Sequence, residues 1–219
     1  MAQFFPKSAN MIAMLSLILV VGVVGGGLGI VIGTSRTPDN TDQGIYKNQP
    51  VPFSHKHHVK GLGIDCRHCH FSVEESSFAG IPASKTCMSC HSQIWNEAPM
   101  LEPVRESYRD DKSIEWIRVH DLPDYVYFNH SIHVAKGIGC ATCHGQVDEM
   151  PLMKKAQTLQ MQWCMDCHWH PEMNLRPREE ITNLNWQPPT DPEERVALAK
   201  QLAEEYNVQS KVNCSVCHR

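Results

Sequence analysis

Aromatic side chains are scarce in this 219-residue chain: 5 Trp, 5 Tyr and 6 Phe make up 7% of it. An excess of charge is also missing, with charged residues at 20% and a net charge of −4. The first shortage leaves a thin core if Leu, Ile, Val and Phe must fill it alone. The second excludes a nucleic-acid binder with a basic face. The composition is not that of a disordered chain either. What the chain has in plenty is sulfur and imidazole: 10 Cys, 13 His and 10 Met. Ten cysteines fit a disulfide framework or one of several metal or cofactor sites, and their spacing decides which.

One long apolar run stands out. Ser8 to Ser35 carries no charge, and Met11 to Gly33 has Ser16 as its only hydroxyl. Twenty-three helical residues cover about 34 Å, enough to cross the hydrocarbon core with some tilt. A cleaved signal peptide has a shorter apolar stretch followed by a small-residue cleavage site, so the expectation is an uncleaved N-terminal anchor. Lys7 and the α-amino group on one side, against Arg36 on the other, mildly favour a cytoplasmic N-terminus with the rest of the chain outside. Gly25, Gly29 and Gly33 repeat every four residues, a spacing that lets another helix approach closely. Beyond the anchor the chain has a charge balance of −6, which can steer a basic partner or simply solvate the surface.

The cysteine spacing is decisive. Five segments read C-x-x-C-H: Cys66-Arg67-His68-Cys69-His70, Cys87-Met88-Ser89-Cys90-His91, Cys140-Ala141-Thr142-Cys143-His144, Cys164-Met165-Asp166-Cys167-His168 and Cys214-Ser215-Val216-Cys217-His218. They use all ten cysteines. The pattern is the one that covalent haem c demands: two thiols add to the two vinyl groups, and the adjacent histidine becomes the proximal iron ligand. Zinc would not require a histidine directly after every pair. Iron–sulfur clusters would need four cysteines each and give the histidines no role. The expectation is five covalently bound haems c, with His70, His91, His144, His168 and His218 as proximal ligands.

Eight histidines remain: His55, His57, His58, His68, His120, His130, His133 and His170. Two pairs belong to an internal repeat. Phe53-Ser54-His55-Lys56-His57-His58-Val59 leads through Gly-Leu-Gly (61–63) to the first motif, and Phe128-Asn129-His130-Ser131-Ile132-His133-Val134 leads through Gly-Ile-Gly (137–139) to the third. Val73-Glu74-Glu75 is matched by Val147-Asp148-Glu149, and both second motifs of the pairs read C-M-x-C-H. The copies lie 74 and 77 residues apart at their first and second motifs. Within F-x-H-x-x-H the histidines stand at i and i+3, on one face of a helical turn. They are too close to grip one iron from opposite sides, so His55, His58, His130 and His133 are expected as distal ligands of neighbouring haems. The fifth distal ligand is open among Met161, Met150, His120 and His170. His57 and His68 are read as surface histidines, and Trp163 and Trp169 as packing on porphyrin.

The expected fold is mostly α and irregular, a single N-terminal transmembrane helix followed by a haem-cored domain. The boundaries are 1–36 for the anchor, 37–52 for a linker and 53–94 for the first two-haem module. A connecting segment, 95–127, reads as uninformative; 128–175 is the second module and 176–219 a C-terminal helix with the fifth haem. The helix starts at Thr190-Asp191-Pro192-Glu193-Glu194 with a hydroxyl cap, and its stripe of Val196, Leu198, Ala199, Leu202, Ala203 and Tyr206 is expected to brace the last haem.

F-x-H-x-x-H resembles the small class III multihaem cytochromes c. That resemblance implies that His55 caps the iron of His70 and His130 that of His144, while His58 and His133 reach two of the other three. Anchor, modules, terminal haem and the run Arg118-Val119-His120-Asp121-Leu122-Pro123-Asp124-Tyr125-Val126-Tyr127-Phe128-Asn129-His130 together resemble the pentahaem subunits of bacterial alternative complex III. The resemblance implies an electron-transfer subunit rather than a self-contained enzyme, in the cytoplasmic membrane with its haem domain on the periplasmic side. Its implied partners are an iron–sulfur subunit similar to molybdopterin oxidoreductases, polytopic quinol-binding subunits, a monohaem cytochrome c and a soluble acceptor, either cytochrome c or a copper protein. Two other readings are a stand-alone quinol dehydrogenase feeding a periplasmic reductase, and a multihaem reductase with an open iron.

Overall fold

The computed structural model describes residues 5–218 and divides at Asp42/Gln43 into two compact units. The α-amino group weighed in the charge bias lies outside the described residues. In the N-terminal unit, one helix runs Ala9–Thr34, slightly longer than the uninterrupted apolar run. At 1.5 Å per residue its 26 residues reach about 39 Å. It is the one described helix long and apolar enough to cross a membrane. Its end is tied off locally: the Ser35 N–H donates to Val31 O at 3.0 Å, and the Thr34 hydroxyl donates back to Ile30 O at 2.9 Å. A methyl group added at Gly25, Gly29 or Gly33 would meet no atom within 4 Å.

The second unit is mostly helical, built of short helices and loops. Among the described residues β-pairing is limited to isolated bridges such as Val126 with His218 and Ile138 with Leu175. Its protein core is small. One cluster joins Val51, Leu101 and Val104 with half-buried Cys87, Met88 and Trp116; another joins Leu175, Leu202 and Tyr206 with Ile138 and Leu198. No large side chain among the described residues is fully buried. Apolar residues beside the cysteine motifs are instead turned outward, with Phe71, Trp95 and Met161 each at least 60% exposed.

Two elements differ from the sequence expectation. The connecting segment is not a plain link. Its helix Glu102–Asp110, entered through the turn Pro99–Leu101, buries Val104 and Ser107 and packs on Ser84–His91, the helix of the second motif. Its apolar residues are too few to form a readable stripe, which hid it. The C-terminal helix Pro192–Glu205 is capped by Asp191 rather than by Thr190: the Asp191 carboxylate accepts the Glu194 N–H at 2.9 Å, and Pro192 follows at the first helical position. Its buried side, Ala199 and Leu202, continues into Tyr206 and packs on Ile138 and Leu175, so the brace falls on the second module. Gly137 permits that contact. It sits at φ +81°, and a Cβ there would lie 2.7 Å from the Tyr206 ring and 2.8 Å from Arg176 O.

Candidate functional site

Each C-x-x-C-H motif forms or ends a short helix: Cys66–Cys69, Ser84–His91, Cys140–His144, Met161–Trp169 and Cys214–Cys217. One helical turn puts both thiols of a pair on one side and delivers the histidine beside the second. Asp65 anchors the first of these turns by accepting the Arg67 N–H at 2.8 Å.

The imidazoles are oriented by backbone carbonyls. Nδ1 of His70 bonds Gly80 O at 2.6 Å, His91 Ile94 O at 3.1 Å, His168 Lys211 O at 2.8 Å and His218 Tyr125 O at 3.1 Å. His58 bonds Ser54 O at 2.9 Å, His133 Asn129 O at 2.6 Å and His130 Ser77 O at 2.9 Å. A carbonyl only accepts, so Nδ1 carries the hydrogen in all seven, which in the neutral ring leaves the lone pair on Nε2. This is the tautomer and the outer hydrogen bond that metal-bound histidines use. Among the described residues the rings of His57, His68 and His170 make no such bond to a carbonyl: His57 stacks on Trp95 at 6.0 Å, and His170 Nδ1 lies 3.7 Å from Glu172.

The two F-x-H-x-x-H copies have the same internal geometry. Phe53 stacks on His58 at 4.4 Å and meets His55 edge-on at 4.9 Å; Phe128 stacks on His133 at 4.5 Å and meets His130 edge-on at 4.8 Å. The chain gets there by two routes. Phe to Cys is 13 residues in the first copy and 12 in the second. The first copy winds Lys56–Gly61 as a π-helical turn, which takes up the extra residue, while the second forms the α-helix His130–Ala135.

Each copy then faces the motif histidines. His58 and His91 have ring centroids 6.2 Å apart, His133 and His168 6.1 Å, and His130 and His144 6.3 Å. An imidazole centroid sits about 1.2 Å from Nε2 and a metal–imidazole bond is about 2.0 Å, so two rings bracketing one metal stand about 6.4 Å apart. His55 lies beside His70, and desolvation, then His70 and His58, lower its pKa to about 4. Its Nδ1 is buried without a partner. Desolvation, then neighbouring histidines, takes His144 down to about 3. His55 and His144 are therefore neutral near pH 7, as a metal ligand must be.

The candidates for the fifth distal position scatter. His120 packs on His144 at 4.3 Å with a buried, unpartnered Nε2, and desolvation lowers its pKa to about 4. Met150 is buried beside Gly145, the residue that follows His144. Met161 is 67% exposed, and the His170 side chain is 77% exposed. The ring neighbour of His218 is Tyr125, at 5.8 Å.

The modules are exchanged against each other. The Lys56 N–H donates to Met150 O at 3.0 Å, and the Ser131 N–H donates to Ser76 O at 3.1 Å. Lys56 and Ser131 are equivalent positions of the repeat, as are Met150 and Ser76. Each module thus closes the start of the other's histidine turn. Between them, Cys140 N–H donates to Ile181 O at 3.0 Å while Thr182 Oγ1 donates to Asp65 at 3.1 Å, and the Cys66 and Cys140 thiols are neighbours. At the far side, Lys211 and Ser210, just before the fifth motif, bond His168. The Cys87 thiol lies near Cys69 and the Cys143 thiol near Cys164 and Cys167, so the motifs lie in the row second, first, third, fourth, fifth.

Residues 126–219 match the family model for cytochrome c7 and related cytochrome c, and residues 32–115 match that of the class III cytochrome c family. The chain is 33% identical over 143 residues to a protein of Nitratidesulfovibrio vulgaris named as the multihaem cytochrome c subunit of menaquinone reductase. The match covers 56% of this chain and 68% of that relative. The chain belongs to the multihaem cytochromes c. As a multihaem cytochrome c it is an electron-transfer protein, and its families carry covalently bound haem c. Its residues fit that group: paired thiols, imidazoles held at Nδ1 by carbonyls and paired at 6.1–6.3 Å between ring centroids, and a small protein core. Among the described residues, nowhere do three or more His, Cys, Asp or Glu side chains gather around one naked metal ion.

Sequence reading missed the carbonyls that orient the imidazoles, because every residue type carries one. It also missed Arg176, whose guanidinium presses on Gly139 at the third motif. A lone arginine between Leu175 and Pro177 gives no signal of that contact.

Proposed function

We propose that this chain holds five haems c, one at each C-x-x-C-H motif, and relays electrons within a membrane-bound complex that couples to quinone chemistry. The carrying observation is the set of three histidine pairs at 6.1–6.3 Å between ring centroids, each joining a motif histidine to an F-x-H-x-x-H histidine. In this reading His58 partners His91, His130 partners His144 and His133 partners His168, while His55, the repeat equivalent of His130, partners His70. The partner of His218 comes from Met161, Met150, His120 or His170, or from outside the chain. When bound, haem iron supplies reversible one-electron chemistry. The chain's own residues would hold the group, the paired thiols through two thioethers and the paired imidazoles through Nε2, with Nδ1 aimed by backbone carbonyls. A metal held by two imidazoles would leave a substrate no open position, which favours relay over reduction of a small molecule.

Two features support a membrane complex: the 26-residue apolar helix, read as an anchor with the haem domain on the periplasmic side, and the relative's name. Direction separates two versions. The run Arg118–His130 favours an alternative complex III, which oxidises quinol and passes electrons out through a monohaem cytochrome to soluble cytochrome c or a copper protein. The relative's name favours electrons flowing in and reducing menaquinone. Iron–sulfur and polytopic quinone-site subunits are expected in either.

The deciding experiment is gentle detergent extraction of the native chain, with intact mass, EPR spectra and identification of the co-purifying subunits. Five haem adducts, low-spin bis-histidine signals and a polytopic quinone-site partner are expected. Fewer than five adducts sink the haem count. A dominant high-spin ferric signal that responds to a small-molecule substrate sinks the relay. The purified complex, given menaquinol plus oxidised cytochrome c or menaquinone plus a reduced donor, separates the two directions.

A further inference from the structure

Arg176 is a buried, permanently charged side chain, 7% exposed. Its guanidinium lies against the residue preceding Cys140: a Cβ on Gly139 would fall 2.1 Å from its Nε and Cζ. Nη1 donates to Asn183 O at 3.0 Å and to Glu180 O at 3.4 Å, and the Trp186 ring lies 4.9 Å away. Nε has no partner. The guanidinium contacts are thus carbonyls and a ring rather than carboxylates. The titratable groups that act on it are Cys140 and Glu180, and the Glu180 carboxylate is itself engaged by Asn183 Nδ2 at 2.6 Å.

The first motif offers the contrast. Arg67 also sits beside a cysteine pair, but it is ion-paired with Asp65 at 2.9 Å and Glu74 at 3.4 Å, and its side chain is half exposed. Its field is largely cancelled and screened. Arg176, by contrast, holds its charge in low dielectric, where a unit charge acts several times more strongly than in water, and it meets Glu180 through the backbone carbonyl, so the Glu180 carboxylate offsets it only in part.

We propose that Arg176 sets the reduction potential of the third site, raising it above that of its neighbours in the row. Reduction of a ferric iron by one electron removes one unit of positive charge, so a fixed cation nearby favours the reduced form. The cleft beside this arginine, about 210 Å³ and lined also by Thr142, Gln146, Trp186 and Arg195, adds a second cation and no carboxylate. The third site is the middle of the row, so a raised potential there makes it the place where an electron rests. This proposal relies on the reading that the Cys140–His144 motif carries haem.

The test is an equilibrium spectroelectrochemical titration of the haem-loaded full chain, comparing wild type with Arg176→Gln, Arg176→Lys and Thr142→Asp. Arg176→Gln is expected to lower one potential component and leave the other components in place. Arg176→Lys keeps the charge and should restore most of the shift. Thr142→Asp keeps the arginine and its carbonyl bonds, sets a carboxylate in the same cleft, and should lower the same component; it decides the matter if Arg176→Gln fails to mature. Unmoved components in fully loaded Arg176→Gln or Thr142→Asp overturn the proposal. An equal fall in Arg176→Lys also overturns it, because packing rather than charge would then be responsible. A Cys140–His144 peptide without haem, seen by mass spectrometry, sinks the five-haem reading itself.

Discussion

His58 and His91 face each other with ring centroids 6.2 Å apart and planes at 65°, and His133 and His168 repeat the arrangement at 6.1 Å and 64°. The two pairs come from different copies of the repeat, reached through a π-turn in one and an α-helix in the other. Agreement in both distance and angle, despite different local winding, means that the facing geometry is what the fold holds constant. The restraint is common to both copies: a Phe two residues before the first histidine stacks on the second, and the carbonyl between them fixes that histidine's Nδ1.

On the proposed pairing, replacing His58 or His133 should therefore change one site and spare the rest. His58→Met and His133→Met are each expected to raise one potential component, because thioether ligation favours the reduced iron. Axial ligands move haem potentials over about 0.8 V, so the shift should be well resolved. A redox titration with EPR checks it: one bis-histidine signal should vanish per variant. A change spread evenly over all components would contradict the pairing.

Phe128→Ala should loosen His133 without removing it. A stacked aromatic pair contributes about 0.5–1.5 kcal/mol beyond its buried area, and Phe128 is 38% exposed, so the total loss should be about 1–2 kcal/mol. Chemical denaturation of the haem-loaded protein measures it. Phe53→Ala should behave alike, since its stack on His58 is equally close.

Gly137→Ala should be among the more costly single-methyl changes in the domain. It combines a φ of +81° with contacts of 2.7–2.9 Å to Tyr206 and Arg176 O, and strain of that kind costs about 1–3 kcal/mol. Gly44 has a similar φ of +78° but open space around it, so Gly44→Ala should cost only about 1 kcal/mol. Thermal melts of the two variants, compared directly, separate the clash from the backbone term.

Much of this arrangement was legible in the chain itself, and the limits have physical causes. C-x-x-C-H is a local motif, complete within five residues, and the F-x-H-x-x-H repeat is complete within six. Which imidazole meets which is not local. His130 finds Ser77 O across 53 residues and His168 finds Lys211 O across 43, through carbonyls that any residue supplies. The exchange of Met150 O and Ser76 O between modules is hidden for the same reason. The Thr190 hydroxyl reads as the cap, and only the backbone angle at Asp191, extended at φ −69° and ψ 126°, moves that role to the Asp191 carboxylate. The segment Glu102–Asp110 carries Val104 as its one buried apolar side chain, so no periodicity could announce it.

That cap gives the last prediction. Asp191→Ala removes the acceptor of the Glu194 N–H and a negative charge at the helix start, and should cost about 1 kcal/mol. Thr190→Ala should be close to neutral. Because Leu202 and Tyr206 carry the helix's contact with Ile138 and Leu175, loosening it should be felt at the third and fourth motifs rather than along the whole row. Hydrogen exchange on the haem-loaded chain reads both quantities. Asp191→Ala should expose amides in Pro192–Glu205 and around Ile138 while protection in Glu102–Asp110 stays as it was. Equal loss in Glu102–Asp110 would mean that the two small cores unfold as one.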